Sequence, residues 1–285
     1  MKKRDIYTMS NGLPVTEGSV STICGVIDKP FLVPWAAKKA VEAVAGYWKP
    51  GQAYTEEYIT LALQDSKNAH RKFKDTAADI GTRAHLIVGA YVEGQLLPEH
   101  IKDPSERRCL ENFMKTTHGW EWLGSEITLI NEWCDCGKKK PCAVLSKCPK
   151  LRGYGGTADG FAKIPSGMYV LPDFKTSNFI ADVYSMQCCL YAEATPVGEA
   201  AHLAGLWKNI EEARILHFDK ELLTWECLER NINEQRPFVK SFIGCNQWRR
   251  RFENKSHSTF RDPKSQAQSV ETDDTSISVS SSKSL

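Results

Sequence analysis

Two aspartates and a lysine lie within a glycine-rich stretch that otherwise has the pattern of paired strands. The stretch runs from Gly153 to Ser177 and reads GYGGTADGFAKIPSGMYVLPDFKTS. Its turn sequence PSG predicts a β-hairpin, with Asp159 on one strand and Asp173 on the next. Carboxylates on neighbouring strands can converge on one cation, and hard oxygen ligands are those that Mg²⁺ binds. Lys175 follows Asp173 by two residues and therefore projects from the same face of its strand.

A cation beside a lysine suits phosphodiester hydrolysis. The metal would lower the pKa of the attacking water and neutralise charge on the phosphate, while Lys175 would orient the nucleophile or stabilise the developing negative charge. The sequence DFK alone also fits an ordinary surface ion pair of Asp173 with Lys175, worth roughly 0.2–1 kcal/mol. The residues around this stretch must decide between the two interpretations.

Helical patterns dominate the chain before the hairpin. Apolar spacing predicts helices over Lys29 to Trp48, about Thr55 to Asn68, Thr76 to Gln95 and about Ser105 to Thr117. His85 lies within the third of these helices. The region from about residue 29 to 118 is thus expected to be a helical N-terminal part.

Strand patterns follow. Alternation in GSEITLIN predicts a strand that joins the hairpin in an antiparallel meander. Pro172, in the second strand of the hairpin, predicts a bulge or a strand edge at its own position. Phe179 to Ala194 has helical character, HLAGLWKN and ARILHFD have strand character, and a helix is predicted from about Lys220 to Phe242. A helical crossover permits a later strand to pair in parallel, so the predicted class is α/β with a mixed sheet.

Composition favours one globular domain. The chain has 285 residues, 41% of them hydrophobic, and a formal net charge of +2, which neither suggests nor excludes a nucleic-acid partner. We predict one domain over 1–253, with its catalytic core at about 119–245 and a cysteine-rich insertion at 134–148. The serine-rich segment 254–285 is predicted to be disordered. No membrane span or signal peptide is apparent, which predicts a cytoplasmic protein.

The order of motifs resembles the RecB-like branch of the PD-(D/E)XK nuclease superfamily, which includes many phage-encoded exonucleases. In that family a glycine-rich strand ends in a metal-binding aspartate, which Asp159 in GGTAD matches. The next strand carries an acidic residue, one spacer and a lysine, which Asp173, Phe174 and Lys175 match. Asp173 takes the place of the more frequent glutamate, a change that the family tolerates.

Two helices complete the resemblance. The family has a Q-x-x-x-Y motif on the helix after these strands, matched by Gln187 and Tyr191, whose four-residue spacing places them on one helical face. It also uses an upstream helical histidine as a metal ligand, and His85 in GTRAHL stands in the expected order. Taken singly, His85 fits a core histidine and the other two fit ordinary helix residues. Glu126 either faces the metal, holds a basic residue, or is a solvated strand residue.

The resemblance implies a PD-(D/E)XK core whose sheet combines the meander, a crossover helix and a parallel strand. It implies that Asp159 and Asp173 bind Mg²⁺ or Mn²⁺, with His85 and the Phe174 backbone carbonyl as further ligands. The implied activity is exonucleolytic hydrolysis of DNA to 5′-phosphates in phage-type recombination, repair or replication, in the host cytoplasm if the gene is phage-encoded. A recombination or single-strand-binding protein is a further partner to consider. A noncatalytic zinc-containing nucleic-acid-binding protein and an endonuclease on the same core stay open as alternatives.

Four cysteines occur close together before the hairpin, in CDCGKKKPCAVLSKC. Cys134, Cys136, Cys142 and Cys148 could close a tetrahedral Zn²⁺ site that stabilises the loop, or could be free thiols. Their order does not match the iron-sulfur cysteines of some RecB-like nucleases, which flank the core. The other six cysteines show no ligand spacing and are predicted to be buried. The basic runs GKKKP and WRRRF fit either phosphate contacts or solvated faces.

Overall fold

A computed structural model describes residues 7–27, 32–137, 142–177 and 180–259 of the chain. The helices that position the site fall before, between and after the strands. They are α1 (Val20–Cys24), α2 (Leu32–Tyr47), α3 (Glu56–Lys67), α4 (Ala69–Val92), α5 (Pro104–Thr116), α6 (Val183–Ala192), α7 (Ala204–Trp207) and α8 (Val239–Thr259). The four helices predicted in the N-terminal part are confirmed as α2 to α5, with α4 beginning seven residues before the predicted Thr76.

The strands form one six-stranded sheet in the order β4-β1-β2-β3-β5-β6. They are β1 (Glu121–Cys134), β2 (Leu151–Lys163), β3 (Tyr169–Lys175), β4 (Thr195–Pro196), β5 (Glu212–Asp219) and β6 (Thr224–Asn231). Strands β1, β2 and β3 pair antiparallel, and β3 pairs with β5 in parallel. The predicted meander and the predicted parallel pairing after a crossover are both confirmed, and the protein belongs to the α/β class.

Helices cover both faces of the sheet because its inner strands are apolar on both sides. Along β5, Ile215 packs into a core with α1 and α6, whereas its neighbour Leu216 packs into a second core with α4 and α5. Phe113 of α5 is fully buried in the second core and contacts Phe174 edge to face, with ring centroids 5.7 Å apart. The end of β3 is therefore held between two packed layers.

Two predicted elements after α6 were wrong. The segment assigned to a helix from about Lys220 contains β6, because the residues from Thr224 onward pair with β5 along its whole length. Leu and Glu residues favour a helix locally, but burial of Trp225 against α5 favours the strand. The segment HLAGLWKN, assigned to a strand, forms a 3₁₀ turn followed by α7, whose Trp207 packs into the first core.

The N-terminal segment is bound to α8. Asn246 donates to the Glu17 carbonyl at 2.9 Å, and Arg249 donates to the carbonyls of Gly25 and Thr22 at 2.7 and 3.1 Å, which satisfies the C-terminal end of α1. Helix α8 continues to Thr259, so the first six residues of the predicted disordered segment are helical. The remaining residues of that segment, and Lys138 to Pro141 of the basic loop, lie outside the described residues.

None of the helices in the described part of the chain combines the length and apolarity that crossing a bilayer requires.

Cys24, Cys109, Cys188 and Cys189 are buried as predicted, but Cys227 is half-buried and Cys245 is exposed, because it lies on the outer face of α8.

We expect Gly156→Ala to destabilise the protein, because a Cβ at that position would lie 2.6 Å from Tyr191 Cε1 and 2.9 Å from Val20 Cγ2. Overpacking of this kind costs about 1–3 kcal/mol in the free energy of unfolding. Gly46→Ala is the matched control: a Cβ added there, in α2, would meet nothing within 4 Å, so the substitution should stabilise by about 0.5–1 kcal/mol. Urea unfolding measures both variants. Equal stability of Gly156→Ala and the parent protein would contradict this packing.

Candidate active site and candidate metal centre

The candidate active site lies where β2 and β3 part. The two strands pair only next to their connecting turn, at Ala162 with Val170 and at Lys163 with Tyr169. Farther along, Asp159 fills the gap: its Oδ2 accepts a hydrogen bond from the Phe174 backbone N–H at 2.6 Å. A side chain thus replaces the missing backbone partner.

Pro172 fits this separation. Phe174 directs its N–H toward β2, and the residue two positions earlier directs its backbone nitrogen to the same side. The N–H that proline lacks would therefore point into the gap, so Pro172 removes no hydrogen bond from the pairing of β3 with β5. The strand edge predicted from this proline corresponds to the parting of β2 and β3.

Asp173 and Lys175 form a buried ion pair beside this gap. Lys175 Nζ lies 2.5 Å from Asp173 Oδ2, and the two side chains are 14% and 1% exposed. Asp173 Oδ1 is buried without a hydrogen-bond partner among the described residues. Since a buried carboxylate oxygen without a partner is costly, this atom is suited to binding a cation. The surface ion pair that DFK alone would permit is thus not what the structure shows.

Electrostatics at the site favour an additional positive charge. Burial raises the pKa of Asp173 to about 6, against the lowering effect of Lys175, and it also raises the pKa of Asp159. Burial alone would lower the pKa of Lys175, but Asp173 and then Asp159 raise it above its ordinary value. Lys175 is therefore an ammonium group between two carboxyl groups, and the raised pKa of both aspartates means that Lys175 alone does not fully stabilise their charged forms.

The Phe174 carbonyl oxygen lies close to the same ammonium. Lys175 Nζ donates to it at 3.4 Å. The Lys175 ammonium therefore contacts both the Asp173 carboxylate and the backbone oxygen that the resemblance assigns to a metal. The donor set fits a hard cation in chemistry and in charge.

His85 faces this region from α4. Its ring lies edge to face against Phe174, with centroids 5.7 Å apart, and its charge lowers the pKa of Asp173. Gly81 permits the close approach, because a Cβ there would lie 2.4 Å from Thr176 Oγ1. His85 lines a cavity of about 710 Å³ between α4, Glu126 in the middle of β1, and Thr176 after β3.

The predicted ligands are neighbours, but they do not close around a single point. Among the described residues, the four cysteines are the only set of three or more His, Cys, Asp or Glu side chains whose ligand atoms all lie within 4.8 Å of one another. His85, Asp159 and Asp173 do not meet that criterion. A cation bound by both aspartates would draw His85 closer or leave it to contact the cation through water.

Gln187 and Tyr191 form a hydrogen-bonded pair on α6. Gln187 Nε2 donates to the Tyr191 hydroxyl at 3.0 Å, as the four-residue spacing permits. Burial and then the Asp173 carboxylate raise the pKa of Tyr191 above its ordinary value. The pair therefore lies within electrostatic range of the aspartates, and its catalytic role stays a prediction.

Tyr184 is a contributor that sequence reasoning missed. Lys175 Nζ lies over its ring, 5.0 Å from the centroid, and its hydroxyl donates to Ser177 Oγ at 3.2 Å. An aromatic face stabilises an ammonium that is withdrawn from water. No sequence signal marks Tyr184, because an aromatic residue in the first turn of a helix is common.

Glu126 has unusual backbone geometry for a strand residue. Its φ is 47°, in the left-handed region that non-glycine residues seldom adopt. The neighbouring register pairs, Ser125 with Gly160 and Ile127 with Ala158, place Glu126 across from Asp159. The side chain is exposed and lines the same cavity as His85. Its exposure agrees with a solvated strand residue and its place in the cavity lining with a position facing the candidate site, so both interpretations stay open.

The four clustered cysteines form the second candidate site. The sulfur atoms of Cys134 and Cys142 are 3.6 Å apart, those of Cys136 and Cys142 are 3.7 Å apart, and Cys148 lies 3.4 Å from both Cys134 and Cys136. A disulfide needs about 2.05 Å. A tetrahedron with Zn–S bonds of about 2.3 Å has edges of about 3.8 Å. The spacing fits one central ion, whereas a cluster of several irons needs the thiolates farther apart.

The chain around the cysteines supports metal binding. Met9 and Leu151 are buried against the cluster, which connects the N-terminal segment to the ends of β1 and β2. Hydrogen bonds from the backbone N–H groups of Cys142 and Cys136 lower the pKa of Cys134 to about 6, whereas burial raises that of Cys148 to about 12. One thiolate thus exists at neutral pH to begin binding, and a bound ion would deprotonate the others.

Comparison with known proteins leaves the family open. No family model and no curated protein matches the chain. Among solved structures, one described as the crystal structure of SSO0001 is 14% identical, covers 75% of this chain and 85% of that chain, and aligns with a TM-score of 0.31. Similarity at that level carries no argument about fold or function.

We predict that the protein purified without chelator contains one Zn²⁺ per chain, measured by plasma emission spectrometry. Cys136→Ser should abolish this zinc, because three thiolates no longer close the tetrahedron. The lost binding energy should lower stability by about 2.7 kcal/mol when free Zn²⁺ is 100 times its Kd, equivalent to roughly 5–10 °C in Tm. Cys245→Ser, at an exposed position outside the cluster, is the matched control and should change neither quantity. Absence of stoichiometric metal in the unmodified protein would refute the zinc assignment.

Proposed function

We propose that the protein is a Mg²⁺- or Mn²⁺-dependent deoxyribonuclease of the RecB-like exonuclease type, built on a PD-(D/E)XK core. The observation that carries this proposal is the group of Asp159, Lys175 and the buried Asp173 where β2 and β3 part, with an Asp173 carboxylate oxygen that has no hydrogen-bond partner among the described residues. The motif order that resembles this family supports it.

The sheet order is compatible with such a core. The three antiparallel strands β1 to β3, the helix α6 and the parallel strand β5 follow one another as the resemblance implies. The two aspartates come from adjacent strands whose ends stay rigid because both faces of the sheet are packed. A rigid frame is what a catalytic metal site needs, since small displacements of the ligands weaken binding and catalysis.

A divalent cation held by Asp159 and Asp173 would supply Lewis-acid stabilisation of the negative charge that grows on the phosphate. Lys175 stays protonated, because Asp173 and Asp159 raise its pKa. It therefore acts as a fixed positive charge that stabilises the phosphate oxygens and orients the attacking water, and it does not act as the base. Tyr184 and Asp173 hold its ammonium in place.

The products follow from which bond breaks. Attack of water on phosphorus with departure of the 3′ oxygen leaves the phosphate on the 5′ carbon and a proton on the leaving 3′ hydroxyl. We infer this direction from the resemblance, and exonucleolytic action from the same source. DNA is then the macromolecular partner.

One observation favours a second candidate function. The ligand atoms of the four cysteines all lie within 4.8 Å of one another, whereas those of His85 and the two aspartates do not. A noncatalytic nucleic-acid-binding protein, with a zinc-stabilised loop and a structural ion pair, would show this combination. It would bind DNA without consuming it at any concentration of Mg²⁺ or Mn²⁺.

We expect the purified protein to degrade linear DNA only when Mg²⁺ or Mn²⁺ is added. Asp173→Asn and Lys175→Met should each lower kcat by about 10²–10³ or more, because each removes a charge that stabilises the transition state. Asp75→Asn and Lys208→Met make the same changes at exposed positions, on α4 and after α7, and should leave the rate unaltered. Circular dichroism checks that all four variants are folded.

Comparison of linear with covalently closed circular DNA separates the alternatives. An exonuclease degrades only the linear form, an endonuclease of the same core cuts both, and a noncatalytic binder cuts neither. Full activity of Asp173→Asn and Lys175→Met would contradict the proposed site even if the protein cleaves DNA.

A further inference from the structure

A second cavity lies beside the one that contains His85. Its volume is about 540 Å³, and Glu126 lines both this cavity and the one that contains His85. Cavities of about 300–1,000 Å³ are the size that small ligands occupy. The other lining residues are Tyr7, Thr8, Thr128, Ile130, Thr157 and Val197.

The register of β1 and β2 fixes the distance between this cavity and the aspartates. Thr157 precedes Asp159 by two residues on β2, which places the two residues about 6.8 Å apart along the strand. Thr128 is paired directly with Thr157 across the two strands. The threonine pair is thus one step from Asp159, a spacing comparable with one nucleotide of an extended single strand.

Tyr7 closes the far side of the cavity. Its hydroxyl is hydrogen bonded to Thr157 Oγ1 at 3.1 Å. Its ring lies directly over Gly155, where an added Cβ would be 2.3 Å from Tyr7 Cγ. The first glycine of the GGTAD stretch therefore provides the space for an aromatic wall.

The lining has hydroxyl groups and an aromatic ring but no cationic side chain. Its acidic member, Glu126, stands between the two cavities in a left-handed conformation that costs of order 1 kcal/mol or more. With hydroxyls and an aromatic ring, the second cavity suits an uncharged sugar and base, and the phosphate belongs beside the Lys175 ammonium.

We propose that this second cavity is a subsite for the nucleoside that adjoins the scissile phosphodiester of a single strand. Tyr7 stacks on the base, and the hydroxyls of Thr128 and Thr157 bind the sugar or the base edge. This inference rests on the proposed nuclease function, since that function places the phosphate beside Asp159. It assigns substrate contacts to Tyr7 and Thr128, which lie outside every motif recognised in the sequence, and to Thr157 within GGTAD.

The test measures binding of a fluorescent four-nucleotide oligothymidylate by anisotropy, with Ca²⁺ in place of Mg²⁺ or Mn²⁺ to suppress cleavage. Tyr7→Leu should raise Kd about tenfold through loss of stacking, and Thr157→Val should raise it about fivefold through loss of one hydrogen bond. Tyr7→Phe keeps the ring and should stay within about threefold of the unmodified protein. In steady-state cleavage with Mn²⁺, Tyr7→Leu should raise KM and leave kcat nearly unchanged.

Two further variants keep the test independent of folding at Tyr7. Gly155→Ala displaces the ring without altering Tyr7 itself, and it should weaken binding as much as Tyr7→Leu does. Tyr54→Leu makes the same aromatic change in the segment between α2 and α3, outside the lining of both cavities, and should not alter Kd. Thermal unfolding verifies that each variant is folded.

The outcomes separate this inference from the proposed function. If the unmodified protein cleaves DNA but folded Tyr7→Leu and Thr157→Val bind the oligonucleotide normally, the subsite is refuted and the nuclease stands. If binding depends on Tyr7 but no metal supports cleavage, the nuclease is refuted and the nucleoside subsite stands. If the unmodified protein does not bind the oligonucleotide, the subsite is refuted.

Discussion

The parting of β2 from β3 is the constraint on which the candidate site depends. Two strands joined by a tight turn would ordinarily continue their backbone hydrogen bonds, but here the pairing stops after two residue pairs. The Asp159 carboxylate instead accepts a hydrogen bond from the Phe174 backbone N–H. Pro172 suits this arrangement because it has no N–H to direct into the gap. The gap lets carboxyl groups from two neighbouring strands lie near one ammonium, and both of them raise its pKa.

Burial of these charged groups costs free energy, because they lose their hydration. Replacing a buried ion pair by well-packed apolar residues is often neutral or stabilising. A contribution to stability therefore does not explain why this ion pair is present. Asp173 has an oxygen without a hydrogen-bond partner among the described residues, and Lys175 is held by Asp173 and by the ring of Tyr184. Cation binding followed by electrostatic stabilisation of a phosphate would account for all of these features together. The cluster of four cysteines is separate: it packs with the N-terminal segment at the ends of β1 and β2.

Sequence reasoning found the elements whose signals are local. Alternation, the PSG turn and the spacing of Asp173 and Lys175 predicted the hairpin and the shared face, and the clustered cysteines predicted a site whose sulfur spacing the structure shows. Sequence reasoning failed where contacts between residues far apart in the sequence determine the local structure. The segment containing Leu222 and Leu223 has helical propensity, yet β6 forms because β5 offers a strand edge and α5 buries Trp225. The left-handed conformation of Glu126 and the position of Tyr184 under Lys175 depend on tertiary contacts, and no local pattern encodes them.

The central claim is that Asp159 and Asp173 bind a divalent metal ion together. A crystal structure of the zinc-loaded protein soaked in Mn²⁺, with anomalous diffraction recorded on both sides of the manganese edge, tests it most directly. The claim predicts a manganese peak within about 2.3 Å of one oxygen from each aspartate, with the Lys175 ammonium moved away from Asp173 Oδ2. Manganese found only on surface carboxylates, with the Asp173–Lys175 ion pair intact, would contradict it.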